Sequence, residues 1–188
     1  MKTLLFLLTI ITFKTHTTEI TLDKYDAHDD SAICAIEPTL KAVYLKAFGQ
    51  GYKDHWTEQF AQECMDAFYR YIKQFKQSHD MLLVVAKKNG CIAGWILFLC
   101  RDESAIIELI CTDPAFQKQG VGKSLIFSIK DYAPEIKSLA VVTRKINVIS
   151  PLFYEGLGFI KTGFMLSEYN PGEMQGYELA IAGNPNTD

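Results

Sequence analysis

The sequence predicts one α+β domain with a central, mostly antiparallel sheet flanked by helices. Three observations carry that prediction. Two apolar runs, Met81 to Lys87 and Cys91 to Cys100, meet at Lys88-Asn89-Gly90, the composition of a hairpin turn. A long segment from Trp56 to Phe75 places Trp56, Phe60, Cys64, Ala67, Phe68, Tyr71, Ile72 and Phe75 at helical spacing. A third apolar run, Ala105 to Thr112, stops at Asp113-Pro114 and is followed by a glycine turn and a helix-patterned stretch, Val121 to Tyr132.

The remaining elements follow in chain order. Glu19 to Tyr25 alternates weakly, with Ile20 and Leu22 on one face, and predicts a first strand. Asp26 to Ser31 is a polar turn that supplies helix-capping residues. Ala32 to Phe48 has helical spacing but contains Pro38, which predicts a kinked or broken helix, and Gly49-Gln50-Gly51 reads as a loop. Arg101 to Ser104 forms another turn. Leu139 to Thr143 is a short buried strand, and Ser150-Pro151 starts a helix as its cap and first residue. Gly156 and Gly158 end that helix. Phe159 to Phe164 and Gly176 to Ile181 predict two final strands joined through a Pro171-Gly172 turn. The domain therefore spans residues 19–182, with residues 183–188 as a tail.

Composition narrows the function. The chain has 188 residues, enough for one well-packed core, and 48% of them are hydrophobic. A net charge of −3 gives no broad attraction to nucleic acid. Lys118, Lys123 and Lys130 offer a local basic patch suited to a small anion. Five cysteines, with no C-x-x-C spacing, read as free thiols of a reducing, cytoplasmic environment. Four scattered histidines give no metal site. Residues 1–18 resemble a secretory signal, with Lys2 before the apolar run Leu4 to Phe13, or form an extra N-terminal segment, so export is the alternative localisation. That run is too short to span a bilayer, and no stable membrane insertion is expected.

The most informative segment is Gln117-Lys118-Gln119-Gly120-Val121-Gly122-Lys123. A strand, a glycine turn and a helix start gather backbone N–H groups around one point, where the positive end of the helix dipole also lies. This arrangement holds phosphate. A Walker A loop is excluded, because Gln117 stands where its first glycine belongs, and no dinucleotide-binding glycine pattern opens the chain.

Gln117-x-x-Gly120-x-Gly122 resembles the acyl-CoA signature of the GNAT superfamily of N-acetyltransferases. Asn147 and Tyr154-Glu155-Gly156-Leu157-Gly158-Phe159 follow in the order and spacing of that family. The resemblance implies a sheet splayed between its fourth and fifth strands and acetyl-CoA as cosubstrate. On that basis the amides from Gln117 through Lys118, Gln119, Gly120, Val121 and Gly122 to Lys123 would hold the diphosphate as an anion nest. The open backbone of Ile110, Cys111 and Thr112 would pair with the pantetheine amides as an added strand does. Asn147 would bond the pantetheine arm or nearby backbone.

Transfer to an amine needs a base, a stabilised oxyanion and an acid for the departing thiolate. The resemblance assigns the acid to Tyr154, whose alternative role is packing against the cofactor. Glu108 interrupts an apolar strand two residues before Ile110, on the same face by strict alternation, and is the candidate base; a solvated surface charge is its alternative. Glu103 is the weaker choice, and a backbone N–H near Cys111 suits the oxyanion. Cys111 itself reads as a buried thiol. Tyr44, Tyr52 and Trp56 are the candidates for the acceptor pocket. The expected partner is a small-molecule or peptide amine, with a cationic acceptor mildly favoured by the acidic balance, and dimers are common in the family. The alternative function is a non-catalytic acyl-CoA sensor of the same fold.

Overall fold

The computed structural model describes residues 19–163 and 174–181. The signal-like segment, the Pro171-Gly172 turn, Phe164 and the tail lie outside those residues. Within them the chain forms β1 (Ile20–Tyr25), α1 (Asp30–Gly51), α2 (Glu58–Gln77), β2 (Met81–Lys88), β3 (Cys91–Arg101), β4 (Ser104–Thr112), α3 (Val121–Tyr132), β5 (Ser138–Arg144), α4 (Ser150–Gly156), β6 (Ile160–Thr162) and β7 (Met174–Ala180). Short 3-10 turns cover Lys53–His55 and Pro114–Phe116.

Seven strands form one sheet in the order β1-β2-β3-β4-β5-β7-β6. Every pairing is antiparallel except β4 with β5. The hairpin between β2 and β3 uses Asn89 at φ 55° and Gly90 at φ 76°, the left-handed pair that a tight two-residue turn requires. The central strands are covered on both sides, which is why their sequences are nearly continuous apolar runs. Val84, Ile96, Phe98 and Ile107 pack with Leu125, Ile126 and Ile129 of α3. Leu83, Val85, Trp95 and Leu97 pack on the other face with Leu40, Tyr44, Phe68 and Ile72 of α1 and α2. Trp95 is fully buried, and its indole N–H donates to the Leu40 carbonyl at 3.1 Å, tying β3 to α1.

Two sequence expectations for α1 are corrected. The helix runs through Pro38 without a break. Pro38 and Cys34, the residue whose carbonyl loses its partner, are both exposed, so water can serve that carbonyl. Meanwhile Ile33, Leu40, Val43 and Tyr44 anchor both halves to the core. Gly49-Gln50-Gly51 is the last helical turn rather than a loop. Gly49 faces the Trp56 ring and Gly51 the Asn147 side chain, each at ordinary contact distance.

The feature that positions the site is the separation of β4 from β5. They pair only from Ser104↔Ser138 to Ile107↔Val141. Beyond these pairs, β4 continues to Thr112 along β3 and β5 continues to Arg144 along β7, so the splay expected between the fourth and fifth strands is present.

Candidate functional site

A cavity of about 890 Å³ opens where the two strands part. One wall is β4 from Ile106 to Thr112, and the opposite wall is β5 from Val141 to Arg144 with the start of α4. The turn before α3 closes one end, and α1 and α2 close the other.

Glu108 sits at a bulge. Leu97 pairs with Leu109 and Phe98 with Ile107, leaving Glu108 as the extra residue opposite β3. The bulge switches the faces of β4: Ala105 and Ile107 belong to the core under α3, but Leu109 and Cys111 belong to the core under α1 and α2. The strict alternation of β4 is therefore interrupted between Ile107 and Leu109. Glu108 is half-buried and lines the cavity. Burial pushes its carboxyl above the ordinary value, with the Arg101 charge acting the other way. Glu103 lies outside the cavity lining, exposed and ion-paired with Lys137.

The turn before α3 has the backbone shape of an anion nest. Lys118 takes φ 58° and Gly120 φ 87°, both left-handed. The first intrahelical bond runs from Ser124 N–H to the Gly120 carbonyl, so the amides of Val121, Gly122 and Lys123 have no acceptor inside the helix. Gln117, Lys118, Gly120, Val121, Gly122 and Lys123 all line the cavity, with Ile110, Cys111 and Thr112 beside them. Gln119 is exposed and donates its side-chain amide to the Ala115 carbonyl at 2.9 Å. The turn is fixed from behind by Asp113, which accepts from Ala115 N–H at 3.0 Å and pairs with Lys46 of α1 at 3.0 Å. The expected basic patch is smaller than the sequence suggests. Lys130 is spent on the Pro134 and Ile136 carbonyls behind the helix.

Tyr154 points inward from α4 and is buried against Phe153, Phe159 and Tyr177. Burial holds its phenol well above the ordinary value, and the neighbouring Tyr52 and Tyr177 hydroxyls add to the rise. Tyr52, at the end of α1, is buried too, and burial raises its phenol. The Asn147 and Thr143 side chains and the Arg144 charge oppose that rise. Cys111 is a buried thiol whose burial keeps it protonated, as expected for an inert core cysteine.

Asn147 bonds the backbone through its side-chain oxygen. Its Oδ1 accepts from Ile149 N–H at 3.0 Å and Ser150 N–H at 2.9 Å. Asn147 thus serves the amides at the start of α4, while the N-cap position, Ile149, has no side-chain cap bond; Ser150, expected as the cap, is the first residue of the helix. Of the aromatic acceptor-pocket candidates, Tyr44 and Tyr52 line the cavity, while Trp56 packs outside it on Phe60. Sequence reasoning missed Thr143 and Arg144. Their signal was a polar pair closing an otherwise apolar strand. Among the described residues no group of three metal-ligating side chains converges, and no helix is long and apolar enough to cross a membrane.

The splayed mixed sheet with a glycine nest at the split has the layout that the acyl-CoA signature implies. The acetyltransferase (GNAT) family model matches residues 45–159, more than half of the chain, and the chain belongs to that family. Solved structures agree on the fold. The PaiA N-acetyltransferase of Thermoplasma acidophilum, in complex with coenzyme A, superposes with a TM-score of 0.71 at 15% identity, covering 87% of this chain and 99% of that one. An acetyltransferase of Thermus thermophilus gives 0.66 at 12% identity over 88% and 99% of the two chains. The ribosomal-protein-S18-alanine N-acetyltransferase of Escherichia coli gives 0.57 at 17% identity over 90% and 98%. No curated protein matches the chain significantly.

Proposed function

We propose that this protein transfers the acetyl group of acetyl-CoA to a primary amine by direct attack. The observation that carries the reading is the split between β4 and β5. It leaves a strand edge from Glu108 to Thr112 unpaired by β5, with the anion nest at one end and a buried tyrosine on the opposite wall.

The parts suit coenzyme A in order. The amides from Gln117 to Lys123 and the dipole of α3 favour its diphosphate. Ile110, Cys111 and Thr112 offer main-chain groups to the pantetheine amides, as a strand edge does. Asn147 shapes the opposite wall by capping α4. Glu108 accepts a proton from the acceptor ammonium, directly or through water; its raised pKa brings it nearer to neutrality, where a base works best. The neutral amine attacks the thioester carbon, a C–N bond forms and the C–S bond breaks. Tyr154, protonated throughout the neutral range, donates to the departing sulfur, while the amide nitrogen loses its second proton to solvent.

Two measurements test this. Titration of acetyl-CoA by calorimetry should release heat and raise the melting temperature. Thiol release should then appear when amines are added. Binding without turnover on any amine would leave an acyl-CoA-binding module of the same fold, and absence of binding would end the proposal.

A further inference from the structure

The acceptor end of the cavity has a charge character that the acidic composition does not suggest. Arg144, the last residue of β5, is half-buried and lines this end. Its guanidinium lies over the Phe60 ring of α2, 5.0 Å from the centroid. Among the described residues no carboxylate lies within ion-pair distance of it. Its charge reaches Tyr52 at the end of α1 and Cys64 of α2, both buried, and Tyr52 in turn influences Tyr154. A second guanidinium, Arg70, stands over the Tyr71 ring at 5.7 Å on the exposed rim of the same helix.

An aromatic ring attracts the cation without using its N–H groups, and those groups form a planar fork matched to a carboxylate. Resting on the acetyl-transfer reading above, we infer that the acceptor is an amine that also carries a carboxylate, of the amino-acid type, and that Arg144 receives the carboxylate while the amine faces the thioester. A polyamine fits this end poorly. Its second ammonium would share a partly desolvated space with the Arg144 charge, and like charges repel more strongly there than in water. Glu63, the carboxylate that α2 adds to the cavity lining, is exposed on the rim, where solvent weakens its pull on a cation. Tyr44, Tyr52 and Phe60 supply apolar surface for an accompanying side chain.

The experiment compares acetylation of phenylalanine, methionine and tyrosine with that of their amides and decarboxylated amines, with spermidine as a polycation. A charge-assisted pair of this kind predicts a preference of about 10- to 100-fold in kcat/KM for the carboxylate-bearing amines. Arg144→Gln should abolish that preference by lowering kcat/KM for the free amino acids alone, and Arg144→Lys should restore only part of it, since lysine lacks the fork. Equal or better turnover of the decarboxylated amines or spermidine by the wild-type protein overturns the inference without any variant being needed. So does an Arg144→Gln loss that is uniform across the panel, or no turnover of any carboxylate-bearing amine. Calorimetric titration of the wild-type protein with acetyl-CoA separates the two levels: heat of binding without carboxylate preference removes this inference alone, whereas no heat removes the acetyl-transfer reading beneath it.

Discussion

Gly122 of α3 and Phe153 of α4 meet so closely that a Cβ on the glycine would lie 3.1 Å from the phenyl ring, with Thr112 Oγ1 at 3.5 Å. The contact joins the nest to the opposite wall of the cavity. Gly122→Ala should therefore displace the Phe153 ring, lower stability by about 1 kcal/mol through overpacking, and weaken acetyl-CoA binding. Thermal melting and calorimetric titration of the same variant measure both; an unchanged melting temperature and unchanged affinity would show that the wall yields freely.

Tyr154→Phe removes the phenolic proton and keeps the ring that packs against Phe153, Phe159 and Tyr177. Acetyl transfer should fall by about 100-fold in kcat, the lower range for a lost general acid, while the acetyl-CoA dissociation constant stays the same. A parallel loss of affinity would assign the hydroxyl to binding.

Glu108 titrates above an ordinary carboxylate because it is buried. The base works deprotonated, so kcat/KM should fall as pH drops through that raised value, and the acidic limb of the profile should lie above the normal glutamate range. Glu108→Gln should lower kcat/KM and remove that limb. A limb that survives in the variant would belong to another group.

Asn147→Ala takes away the acceptor for the Ile149 and Ser150 amides. A lost helix cap costs about 1 kcal/mol, and the melting temperature should drop by about 2–4 °C for a chain of this size. Asn147→Asp keeps the acceptor and should recover most of that stability. If both variants melt like the parent, the α4 start does not depend on this cap.

Local pattern made much of the fold readable. The hairpin at Asn89-Gly90, the helix over Glu58–Gln77 and the helix opening at Val121 each follow from apolar spacing and turn chemistry within a short stretch of chain. The helix through Pro38 did not, because the buried contacts of Ile33, Leu40, Val43 and Tyr44 outweigh the local penalty of the proline. The site was legible where it is made of contiguous backbone, at Gln117 to Lys123, since a nest needs only its own residues in the right conformations.

By itself, then, the sequence determined the succession of strands and helices, the glycine turn with its ordered companions Asn147 and Tyr154, and hence the family. Only the tertiary structure decided that β4 and β5 part after Ile107, that a bulge places Glu108 where the strands diverge, and that Arg144 lies over Phe60 in the cavity that Tyr52 also lines. Periodicity records which residues prefer burial along one segment. The end of a strand pairing, the position of a bulge and the meeting of side chains from α1, α2 and β5 depend on contacts between segments far apart in the chain, which no local pattern encodes.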